Sequence, residues 1–190
     1  MVKIKIMERA WNYTYYSIYS FERKVTYFFR TILNSIFSPI TKINFLKKGL
    51  EKRGSSFKQI DDIALEISNN PKNGKSINLA NIHIGGLLVL LEFSLFNLFQ
   101  AILGKSLIQY VWGPGSPYKW FFIIVLLVIP YLINNQLLWK NDKYLKYFKE
   151  FDKKPKEIRR KWAWISFGII LGILAFFILS FVIASLVLRK

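Results

Sequence analysis

Residues 140–161 read KNDKYLKYFKEFDKKPKEIRRK, with ten Lys/Arg and four Asp/Glu, a net charge of +6. The stretch lies between two apolar runs, FFIIVLLVIPYLI at 121–133 and ISFGIILGILAFFILSFVIASLVL at 165–188. A helix of about twenty apolar residues is long enough to cross a hydrocarbon layer ~30 Å thick. Lys and Arg close to such a span are retained on the cytoplasmic side. The loop is therefore expected inside the cell, and the rest of the chain can be oriented from it. The expected fold class is all-α: an integral membrane protein with three transmembrane helices, an N-terminal amphipathic interfacial helix and a short cytosolic helix.

Composition points the same way. Of 190 residues, 53% are hydrophobic, and they come in long runs rather than at the period of a soluble helix or strand. The net charge of +17 would suggest nucleic acid in a soluble protein. Beside membrane-length runs it marks topology and attraction to anionic lipid. Tyr144, Tyr147 and Phe148 among lysines could stack on bases, but a membrane interface asks for the same mixture, so nucleic acid is disfavoured. The expected partners are the lipid bilayer, with anionic lipid contacts, and a second copy or another membrane protein. With no cysteine, disulfide and thiolate chemistry are excluded. No cofactor or metal is expected, because the single histidine, His83, has no second ligand beside it. The opening MVKIKIMERAWNYTYYSIYS lacks a continuous apolar core and a small-residue cleavage site, so no cleavable signal peptide is expected.

The chain divides into a basic amphipathic region, 1–77, and a three-helix transmembrane region, 78–190, with the basic cytoplasmic loop 140–161. Residues 8–37 predict one helix. Tyr15, Ile18, Val25, Phe29, Ile32, Leu33 and Ile36 fall in an apolar arc of roughly 100°. Tyr13, Tyr16, Tyr19 and Tyr27 lie on or near the polar side, where a wet hydroxyl on an apolar body suits a headgroup layer. The favoured placement is in the membrane interface; packing on a small cytosolic core is the alternative. Pro39 is expected to end this helix. A second helix is predicted over 56–69. Ser55 or Ser56 caps it, and Asn69, Asn70 and Pro71 stop it. Its stripe of Phe57, Ile60, Ile63, Ala64 and Ile67 is expected to pack on the protein's own chain or on another copy. Gly74-Lys75-Ser76 resembles the end of a phosphate-binding loop, but Asn69 stands where that loop needs its first glycine, and no strand precedes it.

The spans are expected at 82–103, 120–139 and 162–188. The first contains Glu92, Asn97 and Gln100 on one broad face. A charged side chain at membrane depth costs a few kcal/mol, so it usually faces protein or a water-filled cavity. These three are the candidate functional residues, either as an ion- or proton-related group or as hydrogen-bonding glue between helices. Tyr110, Trp112, Tyr118 and Trp120 border the far interface. Pro130 is expected to kink the second span. Asn134, Asn135 and Gln136 either bond neighbouring helices or mark the exit from lipid. Tyr144, Phe148 and Phe151 recur at helical spacing and predict an interfacial helix ending before Pro155. In the third span Gly168, Gly172 and Ala175 form a small-residue face of the GxxxG type, the candidate helix-packing site.

Fourteen Lys/Arg precede the first span and ten lie in the loop, against Lys105, Lys119, Arg189 and Lys190 elsewhere. This asymmetry predicts a cytoplasmic N-terminus and an outside C-terminus. The aromatic opening WNYTYYSIYSF, the loop YLKYFKEFDKKPK and the closing W-x-W span resemble the layout of small multi-pass bacterial inner-membrane proteins. The resemblance implies that membrane as the location and implies no activity. No paired Asp, Ser/Lys or His/Glu constellation lies within the spans, so an enzyme is not expected. The expectation is a non-enzymatic, oligomerising scaffold or anchor subunit. The alternative is a homo-oligomeric pore or accessory effector of a bacterial defence system.

Overall fold

A computed structural model describes residues 2–41, 43–52 and 54–189, with the side chains of 2–4, 40–41 and 46 excepted. The described elements are helical throughout: α1 (Val2–Thr41), α2 (Asn44–Glu51), α3 (Phe57–Ser68), α4 (Lys75–Leu103), α5 (Ile108–Trp112), α6 (Tyr118–Asn134), α7 (Lys143–Asp152) and α8 (Lys156–Leu188). A π-helical segment (Asn135–Trp139) and a 3₁₀ turn (Lys140–Asp142) join α6 to α7. Three helical stretches are long and apolar enough to cross a membrane: Lys75–Leu103, Tyr118–Asp152 and Lys156–Leu188. The chain forms two compact units, Ser17–Ile82 and the remainder.

Within Ser17–Ile82, α3 opens on a capping box. The Ser56 hydroxyl accepts from the Gln59 amide at 3.2 Å, and the Gln59 side chain accepts from the Ser56 amide at 2.9 Å. Two reciprocal bonds satisfy donors that a bare helix start leaves orphaned. Polar contacts then fix α3 antiparallel to the second half of α1. At one end the Tyr19 hydroxyl donates to the Asn69 carbonyl at 2.5 Å. At the other, Arg30 bridges Asp61 at 2.6 Å and Asp62 at 2.8 Å, and Asn34 donates to Asp61 at 3.0 Å. The Arg30 hydrogen bond holds the Asp61 carboxyl below its usual range, helped by Asn34. The expected packing of the α3 stripe on its own chain is not found. α3 buries no residue, and Ile60, Ile63 and Ile67 are exposed. Ion pairs and caps, rather than apolar burial, hold the hairpin together.

Two expectations for α1 are corrected. Pro39 lies inside the helix, which runs to Thr41. A proline in the last turn removes one backbone bond where few remain to be made. The apolar arc is also split. Tyr15 and Ile18 are buried, whereas Phe29, Ile32, Leu33 and Ile36 are exposed. Tyr13 and Tyr19, assigned to the polar side, are buried. Gly74 is explained by a close approach: a Cβ there would lie 2.5 Å from the Ser68 carbonyl oxygen and 2.6 Å from the Asn70 amide nitrogen. Only glycine lets the chain turn so tightly into α4.

In the other unit, α4 closes on a Schellman turn. Gly104 has φ 61°, its amide donates to Ala101, and the Lys105 amide donates to Gln100. α6 runs through Pro130, and the departure from α winding comes at Asn135. Asn141 (φ 59°) and Asp142 (φ 52°) are both left-handed, a conformation that Asn and Asp tolerate better than most residues. They turn the chain into α7. On α8 the buried residues are Ser166, Ile173, Ser180 and Ala184, seven, seven and four apart, which is one helix face.

Acid should loosen the α1–α3 hairpin. A carboxyl whose folded pKa is depressed stabilises fully above the ordinary Asp value of 3.8, and that stability disappears as pH falls through the lower folded value. Amide exchange in α3 is expected to speed up below about pH 4. Asp61→Asn should exchange faster at neutral pH and lose most of the acid response.

Candidate functional site

In the larger unit the first turns of α1 meet α7 and the start of α8. Tyr13 is 1% exposed, and its ring is stacked between Phe151 and Trp162, the latter at 4.1 Å between centroids. Tyr15 packs on Tyr144 and Phe148, and Tyr16 on Phe148 and Phe151. The stripe Tyr144, Phe148, Phe151 is thus buried against protein. This corrects its expected role as the lipid-facing side of an interfacial helix. The tyrosines of α1 supply the apolar partner that lipid was expected to supply.

Charges ring this stack. Arg9 pairs with Glu150 at 2.6 Å, and Lys143 with Glu8 at 3.2 Å. Tyr147 donates to Glu8 at 3.2 Å, and Tyr16 donates to Asp152. Burial, with Glu8 beside it, raises the Tyr147 hydroxyl above the ordinary tyrosine value. Burial raises Tyr13 as well, against the opposing pull of Arg9. The acidic residues of this loop that take part are consumed in pairing.

The π-helical segment leaves carbonyls that α winding would have bonded. Asn12 donates to Leu137 O at 3.0 Å and to Glu8 O at 2.8 Å. Lys143 donates to Gln136 O at 2.9 Å. The Trp11 indole donates to Asn134 Oδ1 at 3.0 Å. Asn134 therefore bonds a neighbouring helix, the first of its two expected roles. Asn12 and Asn134 are fully buried, and among the described residues Asn12 Oδ1 and Asn134 Nδ2 have no partner.

Of the residues expected to act together, the structure brings none of Glu92, Asn97 and Gln100 into contact. Asn97 is buried and donates to Ser180 on α8 at 3.3 Å. Gln100 is buried and its side-chain oxygen accepts from the Leu107 amide at 2.8 Å, closing the exit turn of α4. Glu92 stands apart, and neither of its oxygens has a hydrogen-bond partner. Gly168, Gly172 and Ala175 lie on an exposed side of α8, and space around both glycines is open to 4 Å. They touch nothing within the monomer.

Comparison with protein families, curated proteins and solved structures gave no match. What the arrangement can do is set by its own chemistry. The clasp around Tyr13 is a joint with no open cleft. Glu92 is the one described carboxylate in the apolar windows and has nothing to bind in the isolated chain. The sequence stage missed Ser180 as the partner of Asn97, and Asn12 and Trp11 as the partners of the segment after α6. A polar residue at the spacing of the buried α8 face was the signal for Ser180.

Tyr13→Ala should remove the centre of the stack and cost roughly 3 kcal/mol. The expected outcome is a lower unfolding midpoint in detergent and protease cuts appearing within residues 140–161.

Proposed function

We propose that the chain is a non-enzymatic membrane subunit that assembles with copies of itself and serves as a scaffold or anchor. One observation supports this above the others. The apolar windows of the three span-length helices bury only 28%, 22% and 17% of their residues inside the chain. Most of that surface is left for lipid or for protein. On α8 the uncovered side includes Gly168, Gly172 and Ala175, whose small side chains permit close backbone approach between helices. The charge asymmetry around the spans supports a bacterial inner-membrane location with the N-terminus inside and the C-terminus outside.

In a mild detergent the purified protein is expected at a mass of more than one copy, and Gly168→Leu with Gly172→Leu should shift it to the monomer. A wild type that runs only as a monomer would remove this reading.

A second reading, a homo-oligomeric pore, is favoured by the unpaired Glu92 carboxylate. A charged or polar group in a span needs water or a partner, and a lumen between copies provides either. Ion flux through reconstituted liposomes should then fall with Glu92→Leu while the copy number stays the same. Flux that persists unchanged would leave the scaffold reading alone.

A further inference from the structure

The unit Ser17–Ile82 carries two apolar stripes that its own residues leave uncovered. On α1 they are Phe29, Leu33 and Ile36, and on α3 Ile60, Ile63 and Ile67, all between 46% and 65% exposed. The polar contacts between the helices fix how these stripes are turned. Successive helical residues rotate by about 100°. On α1 the stripe centres about 100° to one side of the line of Arg30 and Asn34, which bond α3. On α3 the least exposed line is Phe57, Asp61 and Leu65, and the stripe centres about 120° away in the same rotational sense. The two helices run antiparallel, since Tyr19 meets Asn69 while Arg30 meets Asp61. Equal rotations on antiparallel neighbours carry both stripes to one side of the pair. The hairpin is therefore a two-helix slab with one common apolar face.

We infer that this face docks on an anionic lipid surface. Three features select lipid over a second copy. Ile82, the last residue of the unit, lies inside α4, so no flexible linker separates the hairpin from a span-length helix. The unit carries eleven Lys/Arg against five Asp/Glu, a net of +6, which anionic headgroups attract and a like-charged copy repels. The acids nearest the face, Asp61 and Asp62, are neutralised by Arg30 within the unit. An amphipathic face of this kind binds by inserting its apolar side chains to the level of the headgroup boundary while the basic residues stay in water. The docked hairpin places two helices on the surface where a single interfacial helix, 8–37, was expected. The inference rests on α4 being a span and is independent of whether the protein assembles.

The chain has no cysteine, so single labels can be placed on the full-length protein. Leu33→Cys, Ile63→Cys, Lys58→Cys and Ile178→Cys would each carry an environment-sensitive fluorophore in vesicles of neutral phosphatidylcholine, with or without phosphatidylglycerol, doped with nitroxide lipid. Labels at 33 and 63 should shift to the blue and lose intensity to the quencher in the anionic vesicles only. The label at 58, on the opposite side of α3, should stay in water, and the label at 178 should be quenched in both. Labels at 33 and 63 that remain in water while 178 is quenched would overturn the docking alone. Protection that follows the protein-to-lipid ratio instead of lipid charge would overturn it in favour of a second copy. A label at 178 that stays in water would overturn the spans, and the docking with them.

Discussion

Tyr13 holds together parts of the chain that sequence keeps far apart. Its ring is filled from one side by Phe151 of α7 and from the other by Trp162 at the start of α8. Stacked aromatic pairs contribute about 0.5–1.5 kcal/mol beyond the area they bury. α7 is short and strongly charged, and a helix of its length is marginal in water without tertiary contacts. Its three buried aromatics give it those contacts, and the ion pairs around the rim set its orientation. Without the stack, the basic loop would have little reason to be helical.

The two units are stabilised by opposite means. In the larger one, aromatic rings are sealed away and charges sit at the margin. In Ser17–Ile82, the helices are joined by arginine, asparagine and carboxylates while the isoleucines face outward. Polar locks between apolar faces make sense where the surroundings supply the apolar contact. The span-length helices follow the same logic, since each buries only a minor share of its window within the chain.

Much of this was legible beforehand because it depends on local pattern. Three apolar runs announce three long helices. Ser56 with Gln59 three residues on marks the start of α3. What could not be read is tertiary. The wheel over 8–37 is a single surface to a sequence, yet Tyr15 and Ile18 are covered while Phe29 and Leu33 are not. Aromatic residues among lysines suit a headgroup layer and suit a protein clasp equally, so Tyr144, Phe148 and Phe151 carried no sign of which. Glu92, Asn97 and Gln100 share a face by angle, but their partners lie on α8 and in the loop after α4, beyond the reach of periodicity. The left-handed pair Asn141–Asp142 was signalled only by residue type.

The π-helical segment after α6 has a consequence for how this chain can change length. Five residues there wind more widely than an α-helix, so the segment holds a residue that regular winding would omit. Deleting one residue between 135 and 139 would let the helix rewind and would swing everything after it by about 100°. Leu138, now fully buried, and the carbonyls met by Asn12 and Lys143 would change places with their neighbours. Most loops absorb a lost residue quietly; this one meters the register between a membrane-length helix and its clasp, so an indel here would act as a rotation.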